Sequence, residues 1–85
     1  MKFTVRLFAR AKDLAGADTV TVEVHEGAVV RDLKARLVAE RPALAGLIER
    51  SALAVNSEFA DDGTVVSADA QIALLPPVSG GSAVY

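Results

Sequence analysis

Apolar and polar residues alternate along residues 2–8, with Phe3, Val5 and Leu7 on one face and Thr4, Arg6 and Phe8 on the other. A period of two is that of a strand, so this segment predicts a strand with one buried face. Residues 9–14 lose the alternation and are rich in helix formers, which predicts a short helical turn ended by Gly16. Alternation resumes over residues 19–24, where Val20, Val22 and Val24 point to the core and Thr19, Thr21 and Glu23 to water. The two strands are expected to pair antiparallel through a connection longer than a tight hairpin turn.

After His25-Glu26-Gly27 the period changes. Val30, Leu33 and Leu37, widened by Val38 and Ala39, form the stripe of an amphipathic helix. It should end near Glu40, because Arg41 precedes Pro42 and is pushed out of helical backbone. At its start Val29 falls at the N-cap, with Val30 at N1 and Asp32 at N3, where a negative charge suits the helix dipole. Valine offers no acceptor, so Thr or Ser there is expected to stabilise the fold by about 0.5 to 2 kcal/mol. Residues 43–50 place Leu44, Leu47 and Ile48 at helical spacing around Gly46, which predicts one irregular turn beneath the sheet. Short strands follow at residues 52–55 and 58–60. Asp61-Asp62-Gly63 signals a turn, Val65 and Val66 pack after it, and residues 67–70 form a last turn.

Ile72-Ala73-Leu74-Leu75 is apolar on both faces, as expected of a strand inside a sheet. Pro76 and Pro77 stop the pairing, since neither donates to a ladder and each holds its predecessor extended. Residues 76–81 can then reach roughly 20 Å from the sheet, at about 3.3 to 3.6 Å per residue. Gly80 and Gly81, without side chains, suit entry into a narrow channel of another protein. The organisation predicted is one domain over residues 1–75 and an extended tail over residues 76–85. Two strands, one helix, two short strands and a closing strand pack most economically as an α+β, β-grasp (ubiquitin-like) fold. Its mixed sheet carries one main helix on one face, with the last strand parallel to the first. A split βαβ ferredoxin-like fold would need a second long helix, for which residues 43–50 are too short and broken.

Composition narrows the chemistry. Eighty-five residues, about half of them hydrophobic, make one small core. The absence of cysteine removes disulfides, thiolate metal sites and a cysteine nucleophile, and the single His25, read as a solvated turn residue, cannot form a metal cluster alone. A net charge of −2 gives no basic field for nucleic acid. No run approaches the ~20 apolar residues of a membrane span, and Met1-Lys2 leads straight into the first strand, so a cytoplasmic protein is expected. No triad, carboxylate dyad or metal cluster is legible, so no catalytic side chain is expected.

The segment Ala73-Leu74-Leu75-Pro76-Pro77-Val78-Ser79-Gly80-Gly81 closely resembles the C-terminus of the small subunit of molybdopterin synthase, the MoaD-type sulfur carriers. Leu7-Phe8-Ala9 with Leu14-Ala15-Gly16, and Ala54-Val55-Asn56, extend the resemblance over nearly the whole chain. It implies a non-catalytic carrier whose terminal glycine carboxylate, on Gly81 after Gly80, is adenylated and converted to a thiocarboxylate that sulfurates a pterin precursor. The implied partners are the large synthase subunit and an adenylating activating enzyme; the ATP belongs to that enzyme, and no cofactor is bound by the carrier. The implied docking surface is apolar and surrounds the tail's root at Phe8, Phe59 and Leu75, continuing along Pro76, Pro77 and Val78. From the residues alone, Phe8 serves equally as an exposed anchor or as cover for a minor cluster under the following loop.

Three positions depart from the family pattern. Val29 stands where an N-cap threonine is common, Asp69-Ala70 replaces a Gly-Asp turn, and Ser82-Ala83-Val84-Tyr85 follows Gly81. The last locks the Gly81 carboxyl in a peptide bond, so the carrier reading requires a C-terminal peptidase. A carrier for thiamine, cysteine or tRNA thiolation, and a β-grasp interaction module with an unprocessed tail, are the competing readings.

Overall fold

The computed structural model of the chain describes residues 1–75. Strand β1 (Lys2–Leu7) leads through helix α1 (Ala9–Ala15) to strand β2 (Thr19–Glu23). Helix α2 (Val30–Glu40) follows, then a 3-10 turn (Pro42–Leu44), helix α3 (Ala45–Glu49) and strands β3 (Ala52–Val55), β4 (Glu58–Ala60) and β5 (Ile72–Leu75). The strands form one sheet in the order β2-β1-β5-β3-β4. β1 and β5 run parallel and the other neighbours antiparallel. This is the mixed sheet of a ubiquitin-like β-grasp, and with one long helix among the described residues it is not the split βαβ alternative.

The alternating side chains decide the architecture. Phe3, Val5 and Leu7 of β1, Val20 and Val22 of β2 and Ile72 and Leu74 of β5 are buried on one face against Val30, Leu33 and Leu37 of α2. Complete burial of a Leu or Ile side chain stabilises by about 1.5 to 3 kcal/mol, which makes this helix–sheet contact the dominant favourable contribution. β5 is apolar throughout because it lies between β1 and β3, as its sequence predicts.

The short helix after β1 ends at Gly16 as its sequence predicts, and three other local expectations differ from the structure. Residues 42–49 form a 3-10 turn and a short α-helix rather than one irregular turn. Gly46 is exposed there while Leu44, Leu47 and Ile48 are buried, and tertiary burial outweighs the glycine's weak propensity. The segment after β1 is a seven-residue helix whose C-cap, Gly16, is left-handed at φ 70° and donates its N–H to Lys12 O at 2.9 Å. Val66 is buried but Val65 is 60% exposed, since its backbone pairs with Val29 as an isolated bridge that turns the side chain outward.

The start of α2 also differs from the expectation. Val29 is the N-cap, as its position predicts, but the first-turn donors are not left open. Val30 N–H donates to Thr64 O at 2.9 Å, Arg31 N–H to Asp62 O at 3.1 Å and Asp32 N–H to Val29 O at 2.9 Å. The Asp32 carboxylate in turn accepts Val29 N–H at 3.0 Å, the half of a capping box that needs no hydroxyl at the cap.

Candidate docking face and tail root

The helices cover one face of the sheet and leave the other open, and the register states which side chains share the open face. Arg6 stands beside Ala73, Ala73 beside Ala54, and Ala54 beside Phe59. Leu75 stands beside Ala52 in the next row. Phe8 follows β1 with extended backbone (φ −132°, ψ 157°), which carries the alternation one residue further and keeps its ring on the same side as Arg6. The Arg6 guanidinium lies 5.5 Å from the centre of the Phe8 ring, within cation–π range.

Phe8, Phe59 and Leu75 are therefore brought to one face, although they come from the end of β1, the edge strand β4 and the last residue of β5. Phe59 is 78% exposed and Phe8 39%, and Leu75 is half-buried. Phe8 belongs to the open face and not to the buried core cluster. A single exposed apolar side chain is ordinary on a protein surface; what distinguishes these is that three of them share the one face the helices leave uncovered. Pro76, Pro77, Val78, Gly80 and Gly81 lie outside the described residues.

Two features of this face escaped the sequence reading. The first is Asn56, which with Ser57 forms the two-residue turn between β3 and β4, both at positive φ (53° and 71°). Its backbone N–H donates to Gln71 O at 2.8 Å, and its side-chain Oδ1 accepts Gln71 N–H at 2.9 Å. The signal was present: a polar Asn directly after an apolar strand suits a primed hairpin turn, which needs φ > 0. The second is the floor of Ala54 and Ala73, whose small side chains between Arg6 and Phe59 leave a shallow cavity of about 200 Å³ bordered by Arg6, Phe8 and Ser57. Only the register reveals that these residues lie side by side.

Polar chemistry elsewhere is sparse. Among the described residues no group of three His, Cys, Asp or Glu could hold a metal ion. His25 is exposed, with Nε2 3.8 Å from Asp32 Oδ2. No helix among the described residues is long and apolar enough to cross a membrane.

A ubiquitin-like β-grasp whose central parallel strand leads, in sequence, into Pro-Pro-Val-Ser-Gly-Gly defines a class of small carrier and modifier proteins. The ThiS family model matches residues 5–81, its last matched position being Gly81, and the chain belongs to that family. It is similar to the molybdopterin synthase sulfur carrier subunit of Chlamydomonas reinhardtii, 32% identical over 83 residues, covering 95% of this chain and all of the relative. Among solved structures, the small archaeal modifier protein 1 of Haloferax volcanii superimposes with a TM-score of 0.84 at 34% identity, covering 95% of this chain and 100% of that one. A protein–protein complex of subunits 1 and 2 of the molybdopterin-converting factor from Helicobacter pylori contains a chain matching with a TM-score of 0.66 at 26% identity, covering 95% of this chain and 100% of that one.

Proposed function

We propose that this chain is the sulfur-carrying small subunit of a molybdopterin synthase, acting in molybdenum cofactor biosynthesis without catalytic side chains of its own. The observation that carries the reading is the family match that ends on Gly81, joined to a fold whose last strand, Ile72–Leu75, presents Leu75 on the same open face as the exposed Phe8 and Phe59. A carboxylate is a poor electrophile. Adenylation of the Gly81 carboxyl by an activating enzyme, at the expense of ATP, supplies AMP as leaving group. Sulfur at the hydrosulfide level displaces AMP and leaves a thiocarboxylate. Its sulfur bonds to an electrophilic carbon of the pterin precursor in the large subunit, and water then cleaves the acyl–sulfur bond, leaving the sulfur on the pterin and returning the Gly81 carboxylate. Bare backbone at Gly80 and Gly81 lets that group enter a channel that side chains would block. Ser82 to Tyr85 must first be removed by a peptidase.

A second reading is favoured by the likeness to the small archaeal modifier protein 1. In it the same activated Gly81 carboxyl acylates an amine of another protein instead of taking up sulfur. Reconstitution separates the two: a thiocarboxylated chain ending at Gly81, mixed with the large subunit, should convert the pterin precursor. A chain that forms covalent protein conjugates and never supports conversion would favour the modifier.

A further inference from the structure

The row Arg6, Ala73, Ala54, Phe59 crosses three strand-to-strand gaps, so Arg6 and Phe59 stand roughly 14 Å apart at about 4.8 Å per gap, with an alanine floor between them. Phe8 stacks on one side of the Arg6 guanidinium at 5.5 Å. Arg6 is in no ion pair among the described residues, a state it shares with Lys2 and with Arg10, Arg31, Arg41 and Arg50; what sets it apart is its place in the open-face row, beside Ala73 and against the Phe8 ring. Asp69 shares an adjoining cavity of about 400 Å³ with Arg6 and Lys2 but does not come within ion-pair distance of either. Any protein that covers the alanine floor also takes water away from the guanidinium. An arginine buried without an acceptor is strongly unfavourable, so a stable occupant must bring one.

Resting on the reading of the preceding subsection, we propose that Arg6 is a specificity-determining residue of the docking face. It takes an acidic side chain of the large subunit, while a neighbouring apolar side chain of that subunit seats on Ala54 and Ala73 against Phe59. The guanidinium, biased toward the Phe8 ring at 5.5 Å, has a planar fork of donors, which suits a carboxylate bound by two parallel hydrogen bonds. Apolar area then supplies affinity, and the charge pair supplies partner choice and association rate.

The experiment is titration calorimetry of the large subunit from the same organism with the chain and its variants, at low and high salt. Arg6→Gln should weaken binding by on the order of tenfold at low salt and flatten its salt dependence, and Arg6→Glu should weaken it further. Ala73→Leu, which raises the floor on the open face, should weaken binding at both salt concentrations, with urea melts showing that each variant folds. Lys12→Gln, the same charge change away from the row, should leave binding unchanged. The proposal is overturned if Arg6→Gln keeps both affinity and salt dependence while Phe8→Ala abolishes binding, since the face would then dock without a charge pair. If neither Arg6→Gln nor Phe8→Ala changes affinity, the docking reading itself fails.

Discussion

Asn56 and Gln71 hold each other through two hydrogen bonds, Asn56 N–H to Gln71 O at 2.8 Å and Gln71 N–H to Asn56 Oδ1 at 2.9 Å. The pair fastens the β3–β4 turn to the residue before β5, immediately ahead of the Val55–Ile72 register position. The placement of Leu75, and with it the root of the tail, follows from that lock. Asn56→Ala loses the side-chain acceptor and puts a Cβ-bearing residue without local hydrogen bonding at φ 53°, so it should lower stability by about 1 to 2 kcal/mol. Asn56→Asp keeps an acceptor and should lose less than half of that. Urea denaturation of the two variants checks the order; equal losses would show that Oδ1 contributes nothing.

Val29→Thr should change stability by less than about 0.5 kcal/mol, below the usual range for restoring an N-cap. Thr64 O, Asp62 O and Val29 O already accept the first three free N–H groups of α2, so a hydroxyl at the cap finds no open donor. Asp32→Ala, which removes the acceptor for Val29 N–H, should destabilise by about 1 kcal/mol. Chemical denaturation midpoints decide; a large gain for Val29→Thr would mean that the loop carbonyls cap α2 poorly.

The Asp69-Ala70 departure has a physical reading as well. Asp69 sits at φ 66°, a left-handed conformation that glycine adopts freely and aspartate tolerates at some cost. Asp69→Gly should raise stability by about 0.5 kcal/mol, the relief of strain exceeding the added freedom of the unfolded chain. A lowered thermal midpoint would place a stabilising contact on the Asp69 carboxylate.

Phe3 in β1 and Phe8, the residue after it, provide a matched pair on opposite faces of the sheet. Phe3 is 4% exposed in the core, so Phe3→Ala should cost about 3 to 5 kcal/mol. Phe8 is 39% exposed on the open face, and Phe8→Ala should cost about 1 kcal/mol or less in the fold while weakening the large subunit by more than that. Melts and calorimetry side by side test it. Several kcal/mol lost in the melt with unchanged affinity would make Phe8 a core residue.

The strands and the main helix were legible because each follows from a period or a terminator, alternation at Phe3, Val5 and Leu7, the stripe of Val30, Leu33 and Leu37, and the stop at Pro42, whereas the parallel last strand followed from packing one helix across a mixed sheet. Residues 42–49 were harder, since Gly46 argues against a helix that only the burial of Leu44, Leu47 and Ile48 sustains. Phe8, Phe59 and Leu75 were named through family resemblance, and it is the strand register that puts them on one face. Arg6, Ala54 and Ala73 could not be read as neighbours because nothing local in the sequence records which strands lie side by side. The capping of α2 by Thr64 and Asp62 is likewise a contact across some thirty residues, invisible to a rule that inspects only the cap position.

If the Gly81 carboxyl carries the chemistry, its activation is visible by mass spectrometry. The 85-residue chain and a chain ending at Gly81 are each incubated with the co-occurring activating enzyme, ATP and a sulfur donor. The chain ending at Gly81 should gain an adenylate and then a mass increase equal to exchange of one oxygen for one sulfur, with Gly81→Ala impaired in the same assay. The longer chain should stay unchanged until residues 82–85 are removed. A chain ending at Gly81 that is never adenylated, or a longer chain that acquires the sulfur with Tyr85 still in place, would rule out the Gly81 carboxyl as the sulfur-bearing group.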